Sequence, residues 1–218
     1  VNNVARRVPE EDGVDQTWSA LPVSHAIEVP DRAPKARYTD PDFFALEAEQ
    51  LWSRTWQMAC RLEEIPEPGD VVEYEILDQS VIVVRGDDGE VRAFQNACRH
   101  RGVKLVAGRG SATSGFVCPF HGWCYGQDGA NTHVPQRRMF DEHNLVPGEI
   151  DLVPRRCETW GGCAWINLDD DAPPLRQCIE PIATALDAWK IESLRTEWAG
   201  FRVVIVGDLA KVVAHARN

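Results

Sequence analysis

Cys98, His100, Cys118 and His121 place one thiol and one imidazole on each of two short segments, Cys-x-His and Cys-x-x-His, with seventeen residues between them. Thiolates and neutral imidazoles bind transition metals, and the short spacing lets both members of each pair turn toward one point. Two metal chemistries use such a set. A single zinc ion takes two cysteines and two histidines as a tetrahedral structural site. A two-iron, two-sulfide cluster takes two cysteines on one iron and two histidines on the other. A zinc finger brings its cysteines as one pair and its histidines as another, whereas each segment here carries one of each. The mixed pairs can be sorted by type onto separate irons. Such a cluster has no net formal charge when oxidised, so it accepts an electron at a higher potential than an all-cysteine cluster.

The composition is that of a chain able to bury a core: 218 residues, 44% of them apolar, with eight tryptophans. A net charge of −11 argues against a nucleic-acid partner, because phosphate binding draws on a surplus of lysine and arginine. No apolar run is long enough to cross a bilayer, and "VNNVARRVPEEDG" lacks the apolar core of a signal peptide. A cytoplasmic location and no membrane partner are expected. Seven cysteines at irregular spacing do not make a disulfide framework. Beyond Cys98 and Cys118, the residues Cys60, Cys124, Cys157, Cys163 and Cys178 read as buried or partly buried free thiols.

The elements that must position the four candidate ligands follow from period and punctuation. Residues 1–36 form an irregular, proline-bearing and charged arm. A helix is expected over 37–57, with Asp40 as N-cap, Pro41 at its first position, and Phe44, Ala48, Leu51, Trp52 and Thr55 on the face toward the core. The period then changes to two: "VVEYEIL", "VIVVR" and "VRAFQN" read as strands, with "GDDG" and "QDG" as turns. Each ligand segment follows a strand-like stretch, so antiparallel sheet would hold both from one end. "CETWGGCAWINL" reads as further strand, with Gly161 and Gly162 marking a bulge or a close backbone approach. Residues 58–172 are expected to form one β domain. A linker, a helix from Cys178 to Lys190 and a strand at "WAGFRVVIV" make up 173–218.

"CRHRG" at 98–102 and "CPFHGW" at 118–123 resemble the two loops of Rieske [2Fe-2S] domains. The Rieske proteins of respiratory and photosynthetic membrane complexes carry a further cysteine in each loop, joined as a disulfide; Val103 and Phe120 occupy those places here. The loops are therefore similar to those of the alpha subunits of Rieske non-heme iron oxygenases, which hydroxylate aromatic rings and related substrates. The similarity covers about residues 30–200, including "RYTDPDFFALEAEQLWSRTWQMACRLEEIPEPGDVVEYEILDQSVIVVRG" and "WGGCAWINLDDDAPPL". It implies a mostly β chain: a Rieske-type antiparallel β domain with an N-terminal helix and the start of an α+β catalytic domain. It also implies a Rieske-type [2Fe-2S] cluster on Cys98, His100, Cys118 and His121, a ferredoxin or flavin reductase as electron donor, and a homo-oligomer, commonly a trimer. A mononuclear Fe(II) would receive the electron, but its paired-histidine motif is not found here, and "GDLAKVVAHARN" stands where an Asn-Trp-Lys segment is expected. Truncation, a frame change near residue 206 and a short natural protein all fit that ending. The alternative function is a stand-alone Rieske ferredoxin without oxygenase activity; the helix before the β domain and the extension after it favour the oxygenase.

Trp123 takes the place of the serine that follows the His-Gly pair in high-potential Rieske proteins, so a potential at the lower end of the Rieske range is expected. Arg99, Arg101, Lys104 and Arg109, with Arg137 and Arg138, read either as solvated loop charges or as a basic collar that docks an acidic partner. His25, His133, His143 and His215 have no partner at ligand spacing, and Trp52, Trp56, Trp160 and Trp165 read as core aromatics.

Overall fold

A computed structural model of the chain describes residues 32–195 apart from 142 and 144. His25, His215, the arm before residue 32 and the strand expected at "WAGFRVVIV" lie outside the described residues. Two antiparallel sheets carry the β structure. Strands β1 (Gln57–Arg61), β2 (Asp70–Ile76), β3 (Gln79–Arg85), β4 (Val91–Gln95), β5 (Arg109–Ser111), β9 (Pro154–Trp160) and β10 (Cys163–Asn167) form a seven-stranded sheet in the order β1-β10-β9-β4-β3-β2-β5. Strands β6 (Phe116–Val117), β7 (Cys124–Tyr125) and β8 (Asn131–His133) form the small second sheet. The chain is mostly β, as expected.

The central strand β3 explains its own sequence. Val81, Ile82, Val83 and Val84 are all fully buried, because Ile82 and Val84 face one core cluster while Val81 and Val83 face another. A strand covered on both faces reads as a continuous apolar run instead of an alternating one. The Ile82 side of the sheet packs on Phe94, Phe116, Trp123, Tyr125 and the two loop cysteines Cys98 and Cys118. The candidate metal centre is therefore built into the wall of a hydrophobic core.

Three expectations are corrected. The N-terminal helix is broken into α1 (Ala36–Thr39), α2 (Pro41–Glu47) and a wider π-helical turn over Ala48–Trp52. Asp40 does cap α2, its carboxylate accepting from the Asp42 amide at 2.9 Å, but Phe43 is the buried aromatic and Phe44 is 55% exposed. In a helix this short, packing of a single large side chain sets the buried face more strongly than the repeat does. Gly161 and Gly162 form the turn of the β9–β10 hairpin, so the bulge is set aside while the expected close backbone approach holds, a Cβ on Gly162 falling 3.1 Å from the Glu192 Cα. The helix expected from Cys178 to Lys190 is split into α3 (Leu175–Ile179) and α4 (Ile182–Asp187) by Pro181, which offers no amide to continue the ladder. Among the described residues, no helix is long and apolar enough to cross a membrane.

Candidate metal centre

The two ligand segments adopt the same turn. In the first, between β4 and β5, the Cys98 amide donates to Val103 O at 2.9 Å and the Gly102 amide returns to Cys98 O at 2.7 Å. In the second, between β6 and β7, the Cys118 amide donates to Trp123 O at 2.8 Å and the Gly122 amide returns to Cys118 O at 3.0 Å. Gly102 and Gly122 sit at φ +69° and +72°, a conformation that closes each turn and that glycine adopts without strain. Each turn folds one cysteine and one histidine toward the other turn.

The four side chains sort by type. Cys98 and Cys118, 2% and 3% exposed, bring their thiols within hydrogen-bond reach of each other on the core side. The rings of His100 and His121 meet edge-on with centroids 4.7 Å apart on the outer side, where His121 is exposed. Among the described residues no three His, Cys, Asp or Glu side chains converge as a single metal ion needs. Two thiols on one side and two imidazoles on the other match the two-iron arrangement.

Atoms around the site are aimed as a bound cluster requires. His100 Nδ1 is a buried nitrogen without a hydrogen-bond partner in the protein, which costs free energy unless a ligand satisfies it. Burial, then the neighbouring His121 and Arg101, lower the His100 pKa, so the ring is held in the neutral form that ligates metal. Burial pushes the Cys98 thiol up, against the Tyr125 hydroxyl and the His100 amide. At Cys118 burial works against the thiolate too, but the amides of His121 and Phe120 outweigh it and its pKa falls. These donors point at the sulfurs, where negative charge resides after metal binding.

Packing fixes the rings. Trp123, 4% exposed, stacks on His100 with the two planes 2° apart and centroids at 5.1 Å, and Phe140 closes on both rings edge-on. Phe120 lies 3.8 Å from His121, centroid to centroid, and is 57% exposed.

Sequence reasoning missed Tyr125 and Asn96. The Tyr125 hydroxyl, 1% exposed, lies 3.2 Å from Cys98 Sγ and accepts the Arg99 amide at 3.0 Å. With its lone pair engaged by that amide, its own proton goes to sulfur once Cys98 is a thiolate. Asn96, 2% exposed, bonds the far end of the first loop. The available signal was position alone, since Asn96 stands two residues before Cys98 and Tyr125 two after Trp123.

Other candidates are not drawn in. His133 and His143 are exposed. Cys124 turns its thiol to Gly122 O at 3.3 Å. Cys60 and Cys157 are held up at about 12 by burial, while Cys178 is exposed, contrary to expectation. Trp52, Trp56, Trp160 and Trp165 are only half-buried, so Trp123 takes the core role expected of them. The basic collar is largely engaged: Lys104 pairs with Glu73 and Glu75, Arg109 with Glu64, Arg99 donates to Glu149 O and Arg137 to Leu145 O.

Residues 55–147 match the Rieske [2Fe-2S] domain family. The chain is 38% identical to choline monooxygenase, chloroplastic, of Spinacia oleracea over 136 residues, 62% of this chain and 30% of that protein. It is 35% identical to the large oxygenase component of the 2,4-dinitrotoluene dioxygenase system of Burkholderia sp. (strain RASC), over 178 residues covering 81% of this chain and 38% of that protein. The crystal structure of a quaternary ammonium Rieske monooxygenase in complex with L-carnitine superposes with a TM-score of 0.67 at 28% identity, over 76% of this chain and 47% of that one. The chain thus spans about a third of the curated relatives it matches. It carries a Rieske [2Fe-2S] domain, homologous to that of the alpha subunits of Rieske oxygenases.

Proposed function

We propose that Cys98 and Cys118 hold one iron of the [2Fe-2S] cluster and His100 and His121 the other, and that the chain is the electron-entry portion of an oxygenase alpha subunit. The observation that carries this reading is the orphaned Nδ1 of His100, whose ring meets that of His121 while the thiols of Cys98 and Cys118 are buried in the adjoining core. A bound Rieske cluster supplies one-electron transfer. The protein's part is to keep the His100 imidazole neutral, exclude water from the thiolate side with Phe116, Trp123 and Tyr125, and present the exposed His121 ring outward.

In this reading the electron comes from a ferredoxin or flavin reductase and goes on to a mononuclear non-heme iron for O2-dependent hydroxylation of an aromatic or related substrate. Arg101 and Arg138 are exposed and take part in no described hydrogen bond or ion pair, so they are the cations left to meet an acidic donor. Exposed Val117, Phe120 and Met139 on the segments around His121 fit burial against a neighbouring subunit in a homo-oligomer, a trimer by family analogy. Residues 58–172 then form the Rieske domain, and the short helices α3 and α4 that follow belong to a linker toward a catalytic domain. Seven free cysteines suit a reducing cytoplasm. Visible and electron-spin-resonance spectra before and after dithionite test the proposal. A red-brown protein with a Rieske-type reduced signal supports it, and a colourless zinc-loaded protein refutes it.

A further inference from the structure

Asn96 directly follows β4, which ends at Gln95, and sits almost fully buried at the point where the first ligand loop leaves the sheet. Its Nδ2 donates to Val106 O at 2.7 Å, Ser80 Oγ at 2.9 Å and Glu73 Oε1 at 3.3 Å. Its Oδ1 accepts the amides of Leu105 at 2.9 Å and Val106 at 3.1 Å. One side chain thus closes the arc from 96 to 106, within which Cys98 and His100 are presented. Every donor and acceptor of the amide is used, so only one orientation of it satisfies the site.

Glu73 on β2 selects that orientation. Its Oε1 also accepts from Ser80 Oγ at 2.7 Å and from Lys104 Nζ at 2.8 Å, and its Oε2 takes the Gly108 amide at 2.8 Å. Lys104 and Gly108 belong to the same loop. Strands β2 and β3, through Glu73 and Ser80, and Asn96 just past the end of β4 therefore grip one loop. A fully satisfied buried polar network rigidifies what it joins.

We infer that Asn96, oriented by Glu73, is the positioning residue for the Cys98–His100 half of the centre, setting the loop geometry on which the cluster's redox equilibrium depends. The inference rests on the ligand reading proposed above. Asn96→Asp keeps the acceptor toward Leu105 and Val106 but turns a second carboxylate on Glu73 and on Val106 O. Combining it with Glu73→Gln restores a donor–acceptor pair with its ends exchanged and returns the net charge to its original value.

The test uses the full chain carrying its cluster. Two quantities are read: amide hydrogen exchange of the peptide spanning 99–108, and the reduced-to-oxidised ratio at the wild-type midpoint potential. In Asn96→Asp the exchange accelerates at least tenfold and the ratio falls at least threefold; in the double variant, where the carboxylate still meets Val106 O, both move back toward wild type by at least twofold. Values within twofold in Asn96→Asp, a shifted ratio with unchanged exchange, or a double variant no nearer wild type each overturn the inference. Should Asn96→Asp fail to take up a cluster, the double variant decides alone: loaded supports, unloaded overturns. A wild-type chain without a reduced-cluster signal instead refutes the ligand reading.

Discussion

Replacing Tyr125 by Phe removes one hydroxyl from a site that water cannot reach, and its effect on the cluster can be worked from the structure. The hydroxyl lies 3.2 Å from Cys98 Sγ, and the residue is 1% exposed. A net hydrogen bond contributes about 0.5–1.5 kcal/mol, more toward charged acceptors. Only the part that differs between oxidation states moves the potential, and the reduced cluster carries the extra negative charge that strengthens the bond. Taking about 1 kcal/mol for that difference, and 59 mV per 1.4 kcal/mol for one electron, the midpoint should fall by about 40 mV. The Arg99 amide also loses its acceptor, so Tyr125→Phe should lower thermal stability modestly. A mediated redox titration followed by visible circular dichroism measures the shift. A midpoint unchanged within about 10 mV, or raised, would show that the hydroxyl does not donate to the cluster's sulfur and would refute the reasoning.

Four further outcomes follow from the same geometry. His121→Ala should abolish the reduced cluster signal while circular dichroism in the far ultraviolet still shows the β fold; an intact signal would remove His121 from the ligand set. Trp123→Leu opens space beside His100 and should cost about 2–4 kcal/mol in chemical denaturation, with a broadened reduced-state spectrum. The Lys104 ammonium, followed by the Gly108 amide and Ser80 hydroxyl, holds Glu73 down at about 2 against burial. A carboxylate depressed in the folded state stabilises above its unfolded pKa and loses that contribution as pH falls through the folded value. Glu73→Gln should accordingly flatten the loss of stability between about pH 4.5 and pH 2, and an identical slope in melting temperature over that window would contradict it. Arg101→Glu with Arg138→Glu should slow reduction by an acidic donor at low salt with little effect at high salt, measured by stopped flow.

The candidate centre was visible in the sequence because residue type and spacing are local. Two turns of the same backbone hydrogen bonding carry the Cys-x-His and Cys-x-x-His segments, so four residues were enough to propose a sorting of thiols from imidazoles. The strands were legible as apolar stretches between turn residues, but the period-two reading misses that Val81 to Val84 are covered on both faces, which depends on what packs against the sheet. The supporting residues were not legible. Glu73 and Asn96 are joined across 23 positions, and no local pattern records a contact made by strand pairing. The same holds for the collar, where Lys104 and Arg109 find carboxylates on distant elements and only Arg101 and Arg138 remain from the group the sequence offered. Phe43 and Phe44 are adjacent and chemically equal, so the choice of buried ring belongs to tertiary packing. Pro181 was the one missed signal already on the page, since a proline four residues into an expected helix breaks it.

The central claim, that two imidazoles share one iron of a two-iron cluster, is tested most directly by pulsed electron-spin-resonance spectroscopy of the dithionite-reduced chain grown with nitrogen-15 histidine. The account predicts two strongly coupled histidine nitrogens, both lost from the iron when His100 and His121 are replaced together. A reduced cluster with no histidine coupling, or with only one, would contradict it.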